Sequence, residues 1–117
     1  MRETTSTGIW AEEQACKYLL DNDYKIISRN ARTRFYEIDI IATQDRQLVF
    51  VEVKFRKNTD FGGGEGSIST DKIKRLKFAI ADWVTKNKQF SQLQPRLDAV
   101  VITSDENNII HYQNITT

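Results

Sequence analysis

The chain has 117 residues, 39% of them apolar and 28% charged, and its 17 basic and 16 acidic side chains leave a net charge of +1. A chain of that length makes one ordinary domain and buries about two-thirds of its extended surface, so a core forms without disulfides or structural metal. The composition excludes disordered and collagen-like classes, and the balanced charge excludes a whole-molecule field that would hold a polyanion.

Residues 8 to about 22 read as a helix. Ile9, Cys16, Leu19 and Leu20 recur at helical spacing, and Ala11 and Ala15 widen the same face. From Tyr24 the period falls to two, predicting strands over 24–29, 36–42 and 48–55, with residues 43–47 linking the last two as a hairpin. Residues 57–67 hold four glycines and read as a loop, a flap or plain surface connection with no phosphate-binding fingerprint. A second helix spans about 71–87, with Ser69 or Thr70 as its cap and Ile73, Leu76, Ile80, Trp83 and Val84 as its inward stripe. Pro95 closes the next connection, and 97–103 and 109–113 are closing strands around an Asn107-Asn108 turn. The order α-β-β-β-α-β-β predicts an α/β domain, a central mixed five-stranded sheet flanked by helices. Trp10, Tyr18, Phe78 and Trp83 are expected in its core.

Charges at positions that should be apolar are the informative departures. Glu52 and Lys54 interrupt the nearly continuous apolar run LVFVEVKF, two residues apart and so on one strand face with Leu48 and Phe50. In the preceding strand, Glu37 and Asp39 share one face and Ile38, Ile40 and Ala42 take the other. Pairing the two strands brings Asp39, Glu52 and Lys54 together. On the first helix Glu12 falls on the apolar side, while Glu13 is solvated. Buried carboxylates need compensation, since each costs several kcal/mol on the order of the net stability of a small domain. A divalent cation supplies it. A strand ion pair between Glu52 and Lys54 is the simpler alternative.

Cys16 and His111 are the sole residues of their types. They allow neither an internal disulfide nor a Cys/His zinc site, and nothing around His111 suggests a Ser-His-Asp triad. An oxygen-only ligand set therefore points to a hard ion, Mg²⁺ or Mn²⁺. With no apolar leader and no run near the roughly 20 residues that span a bilayer, the expectation is a cytoplasmic protein without membrane partners.

An Asp followed after twelve residues by E-x-K, here Asp39 and Glu52-Val53-Lys54, resembles the PD-(D/E)XK nuclease superfamily. G-x-x-x-E-x-x-A-x-x-Y-L at 8–19, E-I-D-I-I-A at 37–42, L-V-F-V-E-V-K-F-R at 48–56, K-I-K-R-L from Lys72 and R-L-D-A-V-V from Arg96 resemble the bacterial YraN family. The resemblance covers nearly the whole chain. It implies the Holliday-junction-resolvase branch of the restriction-endonuclease-like fold and one nuclease-like domain over residues 1–117. It further implies a metal-dependent endonuclease acting on DNA, branched DNA among its substrates, working as a homodimer. Asp39 and Glu52 would bind one or two Mg²⁺ with the Val53 carbonyl as a further ligand, and Lys54 would orient the attacking water. Glu12 would serve a second metal or a bridging water, and Glu37 would be a supporting carboxylate or an ion-pair partner. Two positions depart from the family, which usually has glycine where Ala11 and Tyr36 stand, and no Q-x-x-x-Y follows the second helix start.

Lys72, Lys74, Arg75, Lys77, Lys86 and Lys88 make the second helix basic, Arg29, Arg32 and Arg34 crowd the link before the second strand, and Arg56 and Lys57 follow the third. Such residues neutralise backbone phosphates, or simply solvate an outer face. Lys72, in the first helical turn and within the family motif, is the expected phosphate contact, with Arg34, Arg56 and Arg75 beside it. Two other classes compete with the nuclease: a nucleic-acid-binding module that does not cut, and a protein-interaction domain with vestigial charges.

Overall fold

A computed structural model describes residues 6–57, 68–104 and 108–116. Helix α1 (Ser6–Asp21) leads into strands β1 (Lys25–Arg32), β2 (Glu37–Gln44) and β3 (Gln47–Arg56). Helix α2 (Thr70–Lys86), a 3-10 turn at Lys88–Phe90, β4 (Gln94–Thr103) and β5 (Ile109–Tyr112) complete the expected order. The strands form one sheet, β1-β2-β3-β4-β5, antiparallel throughout except for the parallel pair β3–β4. A parallel pair cannot be joined by a tight turn, so α2 provides the crossover. The glycine-rich segment and Asn107 lie outside the described residues. Among the described residues no helix is long and apolar enough to cross a membrane.

The sheet divides two cores. On one face α1 lays Ala11, Ala15, Cys16 and Leu19 against Ile40, Ala42, Val49, Val51, Val100 and Ile102. On the other, Leu76 and Ala79 of α2 meet Ile38, Ile41, Leu48, Phe50 and Leu97, with Ile80, Trp83 and Val84 packed beside them. Phe50 is fully buried and meets Trp83 edge-on at 5.6 Å, an aromatic pairing that contributes about 0.5–1.5 kcal/mol beyond its buried area.

Several expectations need correction. Ile9 and Leu20 of the first helix are exposed, because the buried stripe runs through the alanines, whose small side chains bring the helix close to the sheet. Phe78 lies on the surface, not in the core, since Ala79 and Leu76 fill the helix face that meets the sheet. The β2–β3 hairpin is tighter than read: Gln44 pairs with Gln47, and Asp45 takes the left-handed conformation (φ 55°) that Asp tolerates. Pro95 belongs to β4 itself, where the second position of a strand tolerates its missing N–H while Gln94 N donates to the Arg46 carbonyl at 2.8 Å.

The alternation expected in β2 also fails. Ile38 packs on the α2 side with Ile41, whereas Ile40 and Ala42 pack on the α1 side. The break falls at Asp39. Its neighbours register as Arg29↔Ile40 and Ala31↔Ile38, and between them on β1 sits Asn30, left-handed at φ 56°. The β2–β3 ladder registers from Gln44↔Gln47 only as far as Ile40↔Val51. A left-handed residue turns the strand locally, as at a bulge, and re-aims the side chain opposite.

Candidate functional site

Where β2 leaves its ladder, the main-chain N–H of Val53 donates to Asp39 Oδ2 at 2.8 Å. A carboxylate thus takes a donor that sits where the ladder would continue, and is held one peptide away from Glu52. Glu52 is 8% exposed and shares the α2-side face of β3 with Leu48 and Phe50. Its Oε2 lies 3.4 Å from Lys72 Nζ, reached from the first turn of α2. That turn is set by Ser69, whose Oγ accepts from Lys72 N at 3.1 Å, an N-cap that satisfies an otherwise orphaned amide.

Asp39 is thus tied to the main chain next to Glu52, Glu52 pairs with Lys72, and half-buried Lys54 stands two residues along the same strand. The partner of Glu52 is Lys72, and among the described residues no salt bridge joins Glu52 to Lys54. Glu37 lines a cavity of about 60 Å³ with Phe35, Tyr36, Lys72, Arg75 and Leu76. Tyr36 donates its hydroxyl to Asp82 Oδ2 at 2.6 Å. Burial and that hydrogen bond push the Tyr36 hydroxyl up to about 12. The ring thereby ties the lead into β2 to the middle of α2.

Glu12 is 5% exposed on α1, the helix covering the opposite face. Among the described residues no three His, Cys, Asp or Glu side chains are grouped to hold a metal ion. Asp39 and Glu52 as a pair suit a hard ion, because Mg²⁺ commonly takes one or two carboxylates and completes its shell with water and substrate phosphate. Arg75 reaches the cavity wall, whereas Arg34 is exposed with its guanidinium 5.3 Å from the Phe35 ring centroid. Arg56 ends β3, half-buried, its carbonyl accepting from Ser104 N at 3.1 Å.

A second polar cluster, which the sequence pattern does not mark, lies on the α1 side of the sheet. Asp98 is 0% exposed on β4. Its Oδ1 accepts from Arg96 Nε at 2.9 Å and Asn114 N at 3.0 Å, and its Oδ2 pairs with Arg96 Nη2 at 2.8 Å and His111 Nε2 at 2.7 Å. His111 Nδ1 meets the Tyr18 hydroxyl at 3.0 Å, and Arg96 also donates to Tyr24 (2.8 Å) and Gln47. Burial pushes the Asp98 carboxyl up, but hydrogen bonds from His111, Arg96 and Asn114 outweigh it and hold it below the usual range. The apolar spacing of LDAVV hid it, since one acid in a strand carries no mark of its partners.

The family model described as "Uncharacterised protein family UPF0102" matches residues 11–102, which include Glu12, Asp39, Glu52, Lys54 and Lys72. A UPF0102 protein of Carboxydothermus hydrogenoformans is 40% identical over 106 residues, 89% of each chain. One from Syntrophomonas wolfei is 34% identical over 108 residues, covering 92% of this chain and 94% of its own length. A third, from Sulfurihydrogenibium, is 36% identical over 116 residues, 96% and 95% of the two chains. End-to-end likeness at these identities, with the expected strand and helix order, makes the chain a member of the UPF0102 (YraN) family.

Proposed function

We propose that the protein is a metal-dependent endonuclease acting on DNA phosphodiester bonds in the cytoplasm, branched DNA among its substrates. The observation that carries this reading is the Asp39 carboxylate fastened to the Val53 N–H beside buried Glu52. Asp39 and Glu52, with the Val53 carbonyl, would hold Mg²⁺ or Mn²⁺. When bound, such an ion polarises a phosphate, lowers the pKa of a water and stabilises a leaving oxygen. Lys72 neutralises Glu52 and, being partly exposed, can turn its ammonium from that ion pair toward an arriving phosphate. Lys54 shares the face of Glu52, where it can orient water and stabilise charge developing on the phosphoryl oxygens. The Val53 amide fixes Asp39, so little reorganisation is needed when substrate arrives.

A non-cutting nucleic-acid module on the same fold is the second reading, favoured by the absence of a three-carboxylate group among the described residues. Incubating duplex, single-stranded, flap and four-way-junction DNA with Mg²⁺ or Mn²⁺ separates the two. The nuclease reading expects cleavage that Glu52→Ala and Lys54→Ala each reduce by at least about a hundredfold, within the range for lost charge stabilisation. Full activity in either variant removes that residue from the reaction. Binding without cleavage at any metal concentration selects the module.

A further inference from the structure

Two phenylalanines lie on the surface near the candidate site, Phe35 in the cavity wall it shares with Lys72 and Phe78 against Tyr36. Phe35 is 73% exposed, just before β2, and Phe78 is 60% exposed on α2. Tyr36 follows Phe35 in the chain and stands edge-on to Phe78, with centroids 6.3 Å apart, pinned through its hydroxyl to Asp82. The surroundings are cationic: Arg34 sits over Phe35, and Lys72 and Arg75 line the small cavity below, with Glu37 the acid among them. A single exposed ring needs no explanation. Phe35 and Tyr36 line one cavity with Lys72, and Tyr36 in turn meets Phe78, so the three rings follow one another at the rim of the candidate site.

We infer that this surface stacks an unpaired base of the DNA strand, so that the strand enters the site single-stranded or splayed; the inference rests on the nuclease reading. Stacking needs a free π-face, which only an unpaired base offers, and every base has one. The cavity is far below the ~300 Å³ of ordinary ligand pockets, so a base cannot enter it and lies on the rings outside. The flanking Arg34, Arg75 and Lys72 suit the phosphates on either side. The other large hydrophobics exposed among the described residues, Ile9, Leu20 and Tyr112, belong to α1 and β5. The patch is therefore aromatic and cationic, without the aliphatic surface of a protein-docking groove.

Fluorescence anisotropy in EDTA, with oligo-dT and a blunt duplex as probes, tests this without cleavage. Phe35→Ala and Phe78→Ala should each weaken oligo-dT binding about tenfold, as loss of a stacked base does, and leave duplex affinity and the salt slope unchanged. Phe35→Tyr should restore binding where Phe35→Leu does not. A 2-aminopurine oligonucleotide should be quenched by the wild type and not by the double alanine variant. Unchanged oligo-dT affinity, or an equal loss on duplex, overturns the stacking surface. If such variants still cut and Glu52→Ala does not, stacking fails and the nuclease stands. Wild type that neither binds nor cuts DNA overturns both. A dimer that Phe78→Ala dissociates, with oligo-dT affinity untouched, overturns the inference in favour of a second copy as occupant.

Discussion

Asn30 and Asp39 show how one backbone conformation makes a chemical group available. Had β2 continued its ladder, Asp39 would be one more alternating side chain. The left-handed residue opposite breaks the alternation, and the carboxylate meets the Val53 amide instead. Asparagine tolerates that conformation, glycine adopts it freely, and a β-branched residue resists it. Asn30→Val should therefore lose ~1–2 kcal/mol in denaturant unfolding and Asn30→Gly should stay near wild type. Equal stability in both variants would show that φ at this position does not matter. The acid was legible in the sequence. The reason it points where it does was not, because an Asn inside a short strand candidate carries no local sign of its opposite neighbour.

Among the elements, α2 carries the most function for its length. It supplies the crossover, the ion pair to Glu52, the anchor for Tyr36 and the exposed Phe78. Its stripe of Leu76, Ile80, Trp83 and Val84 and its cap were readable from spacing and residue type, and Ser69 is the residue that caps. Ser69→Ala should cost ~0.5–2 kcal/mol by thermal or urea unfolding. It should also loosen the first turn that presents Lys72, so on the proposed nuclease reading DNA affinity falls with stability. Loss of stability alone would show that Lys72 keeps its place without the cap. The outward position of Phe78 was harder to foresee. A helix three residues longer or shorter in its contact would rotate the stripe, and only packing against β2 and β3 decides which hydrophobics are left outside.

Across the whole molecule the two faces of the sheet divide the work. The α2 face carries the candidate site, and the α1 face carries the buried Asp98 network, which joins β4, β5, the end of α1 and the approach to β1. Removing one member of a buried, hydrogen-bonded charge pair costs about 3–5 kcal/mol, so Asp98→Asn should be strongly destabilising at neutral pH. The sign with pH follows from the lowered carboxyl. Its stabilisation is complete above the unfolded-state value near ~3.9 and is lost as pH falls through the lower folded-state value. The gap between wild type and Asp98→Asn, followed by denaturant titration, should shrink below about pH 4. A gap that widens in acid would contradict the network as described.

Period, length and residue type determined the element order, the mixed α/β class and the misplaced charges Asp39, Glu52 and Lys54, while motif resemblance supplied the family and Lys72, because all of these are written locally along the chain. The tertiary structure decided how they meet. It gave Glu52 to Lys72 rather than to Lys54, buried Glu12 on α1, fastened Asp39 to a main-chain amide and left two phenylalanines outside. Those outcomes depend on strand twist, helix rotation and contacts between residues distant in sequence, which no local pattern records.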